Sequence, residues 1–155
     1  MRIFCIMNML MLSLLFSAGK VSAQTPEKLV AEIKAAAEGS CITVSYSLEA
    51  RVDNVKIEDE GTVVAQDDLW CLKGESVHVY TSDEGTWILH LDSKEAMIEP
   101  KWTYDDLEAF YKTLTLASSG NDISVKVLSR TSSDRKPASF FIPETDGDWI
   151  VTDLR

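Results

Sequence analysis

Histidines, cysteines and paired carboxylates are the residues of this sequence that could support metal binding, nucleophilic attack or acid–base chemistry. His78 and His90 stand alone in separate predicted strands, without a His-Glu-x-x-His motif or the Cys/His spacing of a zinc site. The carboxylate pairs Asp59-Glu60, Asp67-Asp68 and Asp105-Asp106 fall at predicted turns and helix starts, where solvated charge is their ordinary role. The sequence also lacks a glycine-rich phosphate loop. We therefore predict no catalytic site, no metal site and no cofactor.

The cysteines leave two interpretations open. Cys5 lies in the apolar N-terminal run, so Cys41 and Cys71 are the remaining pair. They could form a disulfide in an oxidising compartment. Alternatively, each is a small buried hydrophobic residue within its strand, which is the interpretation we favour. Their separation matches neither a zinc site nor a redox Cys-x-x-Cys motif.

The N-terminus has the pattern of a secretory leader. Arg2 precedes an apolar run over residues 3–16, and Val21-Ser22-Ala23 satisfies the small-x-small rule for cleavage after Ala23. The run is shorter than the roughly 20 apolar residues that a membrane-spanning helix needs. We therefore predict a signal peptide over residues 1–23, a single domain over residues 24–155, and a periplasmic location.

The charge balance argues against two kinds of negatively charged partner. The chain carries 25 acidic and 15 basic residues, for a formal net charge of −10. No basic stripe interleaved with aromatic residues is present, which argues against nucleic acid and against anionic membrane surfaces. We expect a soluble monomer.

Two amphipathic helices flank the central part of the sequence. The first is predicted to begin after Thr25 as N-cap, with Pro26 in its first turn, and to end before Gly39. The second is predicted to begin at Thr103 and to present an apolar face at spacing i, i+3, i+4 and i+7. That face consists of Leu107, Phe110, Tyr111 and Leu114. Both helices are expected to cover the same face of a sheet.

Alternation of apolar and polar residues predicts the sheet. The clearest case is the strand over residues 42–52, and Gly61 in the next strand suggests a bulge or a bend. Turn residues then recur roughly every 8 to 10 positions, which is typical of an antiparallel meander. Its short strands are predicted at about 69–72, 76–81, 86–91 and 95–99, followed by a strand from 123 and one or two closing strands.

The aromatic residues allow two interpretations. They are Tyr46, Trp70, Tyr80, Trp87, Trp102, Phe110 and Tyr111. The simpler interpretation is a hydrophobic core, because most buried aromatic residues only pack. Two short helices, however, cover only part of a broad curved sheet. In that case the same residues would line an apolar cavity suited to acyl chains, at roughly 0.8 kcal/mol per buried methylene.

Several segments resemble the LolA-like family of periplasmic outer-membrane lipoprotein carriers. The stretch "TSDEGTWILHLDSKEAMIEP" contains Asp83, Gly85, Thr86 and Trp87 where the family has an Asp-Gly-Lys-Thr-x-Trp-like turn, and the chain closes on "DLR". The third strand, "WCLKGES", differs from the family's Trp-x-Lys-Arg-Pro-like run because it has neither arginine nor proline. The resemblance implies an α+β fold: a strongly curved antiparallel sheet, or unclosed half-barrel, whose concave face is covered by two helices.

The resemblance also implies a function. The chain would carry the acyl chains of lipoproteins or other lipids towards the outer membrane, with lipoprotein-sorting proteins of the inner and outer membranes as partners. Strand alternation predicts that Trp87 and Leu89 point into the concavity, whereas Thr86, Ile88 and His90 point away. The complete predicted lining is Val44, Tyr46, Leu48, Trp70, Leu72, Trp87, Leu89, Met97, Leu107, Phe110 and Leu114.

Two rival functions stay open at this point. The first is a protein interaction module of the cell envelope that has the fold without a ligand cavity, and a filled interior would favour it. The second is an envelope hydrolase, which would require Asp, Glu or His side chains to converge in a cleft.

Overall fold

The computed structural model describes residues 23–52, 54–113 and 123–155. They form an α+β fold with two α-helices and one eight-stranded sheet. No helix among them is long and apolar enough to span a membrane. The elements in chain order are α1 (Pro26–Ala37), β1 (Cys41–Val52), β2 (Val55–Gln66), β3 (Leu69–Lys73), β4 (Val77–Ser82), β5 (Gly85–His90), β6 (Glu95–Glu99), α2 (Tyr104–Thr113), β7 (Ile123–Ser133), a 3₁₀ helix (Ala138–Phe141) and β8 (Ile150–Asp153).

Both α-helices begin with the predicted caps. The Thr25 hydroxyl accepts a hydrogen bond from the Lys28 N–H at 3.4 Å, and Pro26 occupies the first turn of α1. At α2, Asp106 accepts from the Thr103 N–H at 2.7 Å while the Asp106 N–H donates to the Thr103 hydroxyl at 3.4 Å. This reciprocal capping box satisfies two backbone donors that the helix leaves unpaired.

The sheet is unclosed and mostly antiparallel. Its strand order is β7-β1-β2-β3-β4-β5-β6-β8, so β7 and β8 are the two edges. The antiparallel meander from β1 to β6 confirms the predicted arrangement. The expectation of a purely antiparallel sheet was wrong at β8, which pairs parallel to β6. The reason is the connection from β7: it crosses to the opposite edge of the sheet and enters beside Lys94, at the start of β6.

Gly61 does not form a bulge with the first strand. Tyr46 pairs directly with Gly61, and the register between β1 and β2 continues unbroken on both sides. The register shift in this region instead lies between β1 and β7, at Ser45 and Tyr46. A side chain at Gly61 would place its Cβ 2.4 Å from the Tyr46 hydroxyl. The glycine therefore makes room for the tyrosine.

The two faces of the sheet are covered by different parts of the chain. On the inner face, rows of paired side chains such as Val44, Val63, Leu72, Val79 and Ile88 pack with both helices in one hydrophobic core. Both helices thus share one face, as predicted. The outer face is crossed by residues 134–149, where the 3₁₀ helix contacts β3 and β4 and buries Phe141 completely.

Candidate functional site

The layer between the inner face and the helices contains most of the predicted lining. Strands β1 and β3 contribute Val44, Tyr46, Leu48, Trp70 and Leu72, all at most 1% exposed. Helix α2 contributes fully buried Leu107 and half-buried Phe110, and β6 contributes half-buried Met97. These eight residues share one layer. Of the other three predicted lining residues, Leu114 lies outside the described residues, and Trp87 and Leu89 lie in β5.

The face assignment for β5 was wrong. Trp87 pairs with Tyr80 on the outer face, and Leu89 pairs with His78 there. The inner positions are Thr86 and Ile88: the Thr86 hydroxyl accepts from the Trp102 N–H at 2.8 Å, and Ile88 belongs to the core under the helices. Residues 85–89 are all buried, because the C-terminal segment covers the outer face. With both faces buried, apolar alternation does not distinguish them.

Trp87 belongs to a contact between the two segments that carry the family resemblance. The Arg155 guanidinium lies 6.0 Å from the centroid of the Trp87 ring and donates to the Glu84 carbonyl at 2.9 Å. Asp153 accepts from Arg155 at 2.7 Å. At Gly85 (φ +138°), a Cβ would lie 2.7 Å from the Glu99 carbonyl oxygen and 3.0 Å from Arg155 Cδ. The Asp-Glu-Gly turn and its tryptophan therefore anchor the C-terminal strand.

A pocket opens onto the inner layer at one end of the sheet. It has a volume of about 190 Å³ and lies between the ends of β1 and β2, the β3–β4 turn and α2. Three of the predicted lining residues, Leu48, Leu72 and Phe110, contribute to its wall. The remaining wall and rim consist of Ile57, Glu58, Asp59, Gly74, Glu75, Ser76 and Val77.

The rim of this pocket is acidic. Burial raises the pKa of Asp59, a hydrogen bond from the Glu75 backbone N–H opposes this effect, and the negative charge of the Glu75 carboxylate adds to it. Glu58 forms a salt bridge with Lys56 at 2.5 Å. Within the described ranges, Asp59 and Glu75 form no salt bridge, and Lys73 lies on the outer face with its ammonium 5.9 Å from the Tyr80 ring centroid.

Among the described residues, three buried polar atoms have no well-formed hydrogen bond. They are the hydroxyls of Tyr46 and Tyr111 and the indole nitrogen of Trp70. The two tyrosine rings meet edge to face with centroids 5.3 Å apart, and each hydroxyl is close enough to the other to shift its pKa. Burial is the main cause that raises the pKa of both phenols. An unpaired buried donor costs about 1–3 kcal/mol, and Trp70 is the clearest case in this layer.

The two ends of α2 are held differently. Near its N-terminus, the Tyr104 hydroxyl donates to the Asp67 carbonyl at 2.6 Å, and Lys101 bridges Asp68 and Asp83 at 2.6 and 2.7 Å. Near its C-terminus, Lys112 forms exposed salt bridges with Glu27 of α1 and with Glu108. Exposed ion pairs contribute little to stability. The C-terminal half of α2, which lies beside the pocket, also packs on the sheet through the fully buried Tyr111, whose ring contacts Tyr46.

Cys41, Cys71 and His78 lie within strands of the sheet. Cys41 and Cys71 are buried free thiols on strands separated by β2, which agrees with the interpretation that each packs within its strand. His78 is half-buried on the outer face, and burial lowers its pKa. Among the described residues, no group of three or more His, Cys, Asp or Glu side chains is arranged to hold a metal ion.

Sequence reasoning missed part of the site. The pocket residues Ile57, Asp59, Glu75 and Val77 were not predicted, although their positions beside two predicted turns of neighbouring hairpins place them at the same end of a meander. Comparisons with protein-family models and with curated proteins find no match to this chain.

Proposed function

We propose that this protein is a periplasmic carrier that binds an acyl chain of a lipoprotein or another lipid between the inner face of its sheet and helix α2. In this proposal the fold is a LolA-like half-barrel, residues 1–23 direct export, and the protein has no enzymatic activity. The observation that carries the proposal is the pocket, because its wall of Leu48, Leu72 and Phe110 is continuous with the buried layer.

The position of the pocket beside α2 supports the same proposal. Phe110 in the C-terminal half of this helix forms part of the pocket wall. An acyl chain longer than the pocket would displace this part of the helix and contact the apolar side chains beneath it. The pocket volume of about 190 Å³ corresponds to roughly six water-sized groups, so a lipoprotein with several acyl chains requires such a movement.

Binding of the uncharged fluorophore N-phenyl-1-naphthylamine to the exported domain tests this proposal. Val77→Trp fills the pocket from its mouth and should weaken binding about tenfold or more, since the apolar surface that the probe buries is lost. The control Val55→Trp adds the same ring at a position that is 62% exposed. Equal binding by both variants, with wild-type stability, would refute this route of uptake, and a wild-type protein that binds no probe would refute the carrier.

A second candidate is a protein interaction module, and the exposed edge strand favours it. Ile150, Val151 and Leu154 in and after β8 are 64%, 48% and 56% exposed, and the outer edge of β8 has no partner strand among the described residues. Such an edge can add a strand from another protein. The filled inner layer, with its predicted lining residues of β1 and β3 at most 1% exposed, also favours this alternative.

A further inference from the structure

The pocket combines an apolar wall with a negatively charged rim. Leu48, Ile57, Leu72, Val77 and Phe110 form the apolar part, and Glu58, Asp59 and Glu75 form the acidic part. A ligand that places its chain against the wall must place its polar end beside these carboxylates. The negative charge of the rim therefore determines which polar end groups of a ligand can bind.

The three carboxylates differ in whether they form a salt bridge. Glu58 shares Lys56 with Glu49, whereas Asp59 and Glu75 form no salt bridge within the part of the chain that the structure describes. Asp59 is half-buried, so its charge is less screened by solvent than that of a fully exposed residue. A free fatty acid would bring a third carboxylate to this position, where like charges repel.

Backbone contacts position Asp59 at the pocket rim. Its carboxylate lies against Gly74, and it accepts hydrogen bonds from the backbone of Glu75 and Glu60. Its charge also reaches the Tyr46 phenol, whose pKa is raised chiefly by burial, but Tyr46 does not line the pocket. The Asp59 carboxylate is thus held at the rim without a salt bridge among the described residues.

We propose that the pocket prefers an alkyl or acyl chain whose polar end carries an ammonium group, with Asp59 and Glu75 as the residues that recognise the positive charge. This inference rests on the carrier function proposed above and specifies its ligand class. The chain lies against Leu48, Leu72 and Phe110, and the ammonium lies at the rim. An anionic chain of equal length is disfavoured.

The test compares three ligands of equal chain length by calorimetry at neutral pH and low salt: octylammonium, octanol and octanoate. We expect octylammonium to bind about tenfold or more tightly than octanoate, with octanol between them, and high salt to reduce the difference. The double variant Asp59→Asn, Glu75→Gln should abolish the preference and leave octanol binding within about twofold.

The matched control removes two charges from the opposite end of the sheet. Glu38→Gln, Glu84→Gln changes two exposed residues that form no salt bridge among the described residues, and this variant should retain the preference. Binding of octanol without discrimination between the charged ligands would overturn this inference and leave the carrier function standing. A preference that survives in the Asp59 and Glu75 variant would also overturn it. Failure of all three ligands to bind would overturn both proposals.

Discussion

The buried tyrosines of the inner layer differ in one respect that matters for stability. Among the described residues, the hydroxyls of Tyr46 and Tyr111 have no well-formed hydrogen bond, although each shifts the pKa of the other. The Tyr104 hydroxyl, by contrast, donates to the Asp67 carbonyl at 2.6 Å. A buried hydroxyl without a partner destabilises the folded state, but a paired one contributes about 1 kcal/mol. The same chemical change at two positions should therefore have opposite consequences.

We expect Tyr111→Phe to leave the free energy of unfolding unchanged or to raise it by up to about 1 kcal/mol, because it removes a desolvated group and retains the ring. Tyr104→Phe should lower it by about 1 kcal/mol, since the Asp67 carbonyl loses its donor. Denaturant unfolding of the two variants measures both effects. A clear loss of stability in Tyr111→Phe would mean that its hydroxyl has a partner.

The thiol of Cys71 provides a prediction about pH. Burial raises its pKa to about 11 from the ordinary value of 9.0. The unfolded state therefore ionises this thiol first, so this group's contribution to stability is retained below about pH 9 and is lost as pH rises towards about 11. In Cys71→Ala this part of the alkaline loss should disappear, as followed by unfolding at pH 8, 9 and 10. An identical pH profile in the variant would contradict the assignment.

At the scale of elements, the helices and strand order followed from local patterns, but the faces of β5 did not. Caps at Thr25 and Thr103 and turn residues between short apolar runs predicted nearly every boundary. Residues 85–89 are all buried, so the distribution of apolar residues does not show which side chains face the helices and which face the opposite side of the sheet. The faces of β5 depend on a tertiary contact, because the segment after β7 crosses the outer face and forms a second buried layer with Phe141.

The C-terminal strand depends on contacts with the β4–β5 turn. Arg155→Ala removes the hydrogen bond to the Glu84 carbonyl and the contact with the Trp87 ring. We expect faster amide hydrogen exchange in β8 at residues 150–154, with β1 to β3 unchanged, because the loss is local. The control Lys94→Ala removes only the exposed salt bridge to Asp148 and should have a smaller effect. Unchanged exchange at β8 in Arg155→Ala would refute the anchoring role.

At the scale of the whole molecule, eight of the predicted lining residues lie in one layer, and three of them line the pocket, but the acidic rim of this pocket was not predicted. Its rim combines the end of β2 with the β3–β4 turn, a juxtaposition that depends on how neighbouring hairpins align. Composition suggested an acidic protein, but it did not locate the uncompensated charge at Asp59 and Glu75. The acidic rim is thus a property of the fold rather than of any single segment.

Native mass spectrometry of the protein purified from the cells that produce it, with extraction of co-purifying lipids, tests the central claim most directly. The carrier account predicts about one acylated molecule bound per protein chain. Dissociation of this molecule should lower the mass of the complex by the mass of the ligand. The account would be contradicted if the measured mass is that of the protein alone and the protein also fails to bind a fluorescent fatty alcohol. That result would favour the interaction module with β8 as its exposed edge.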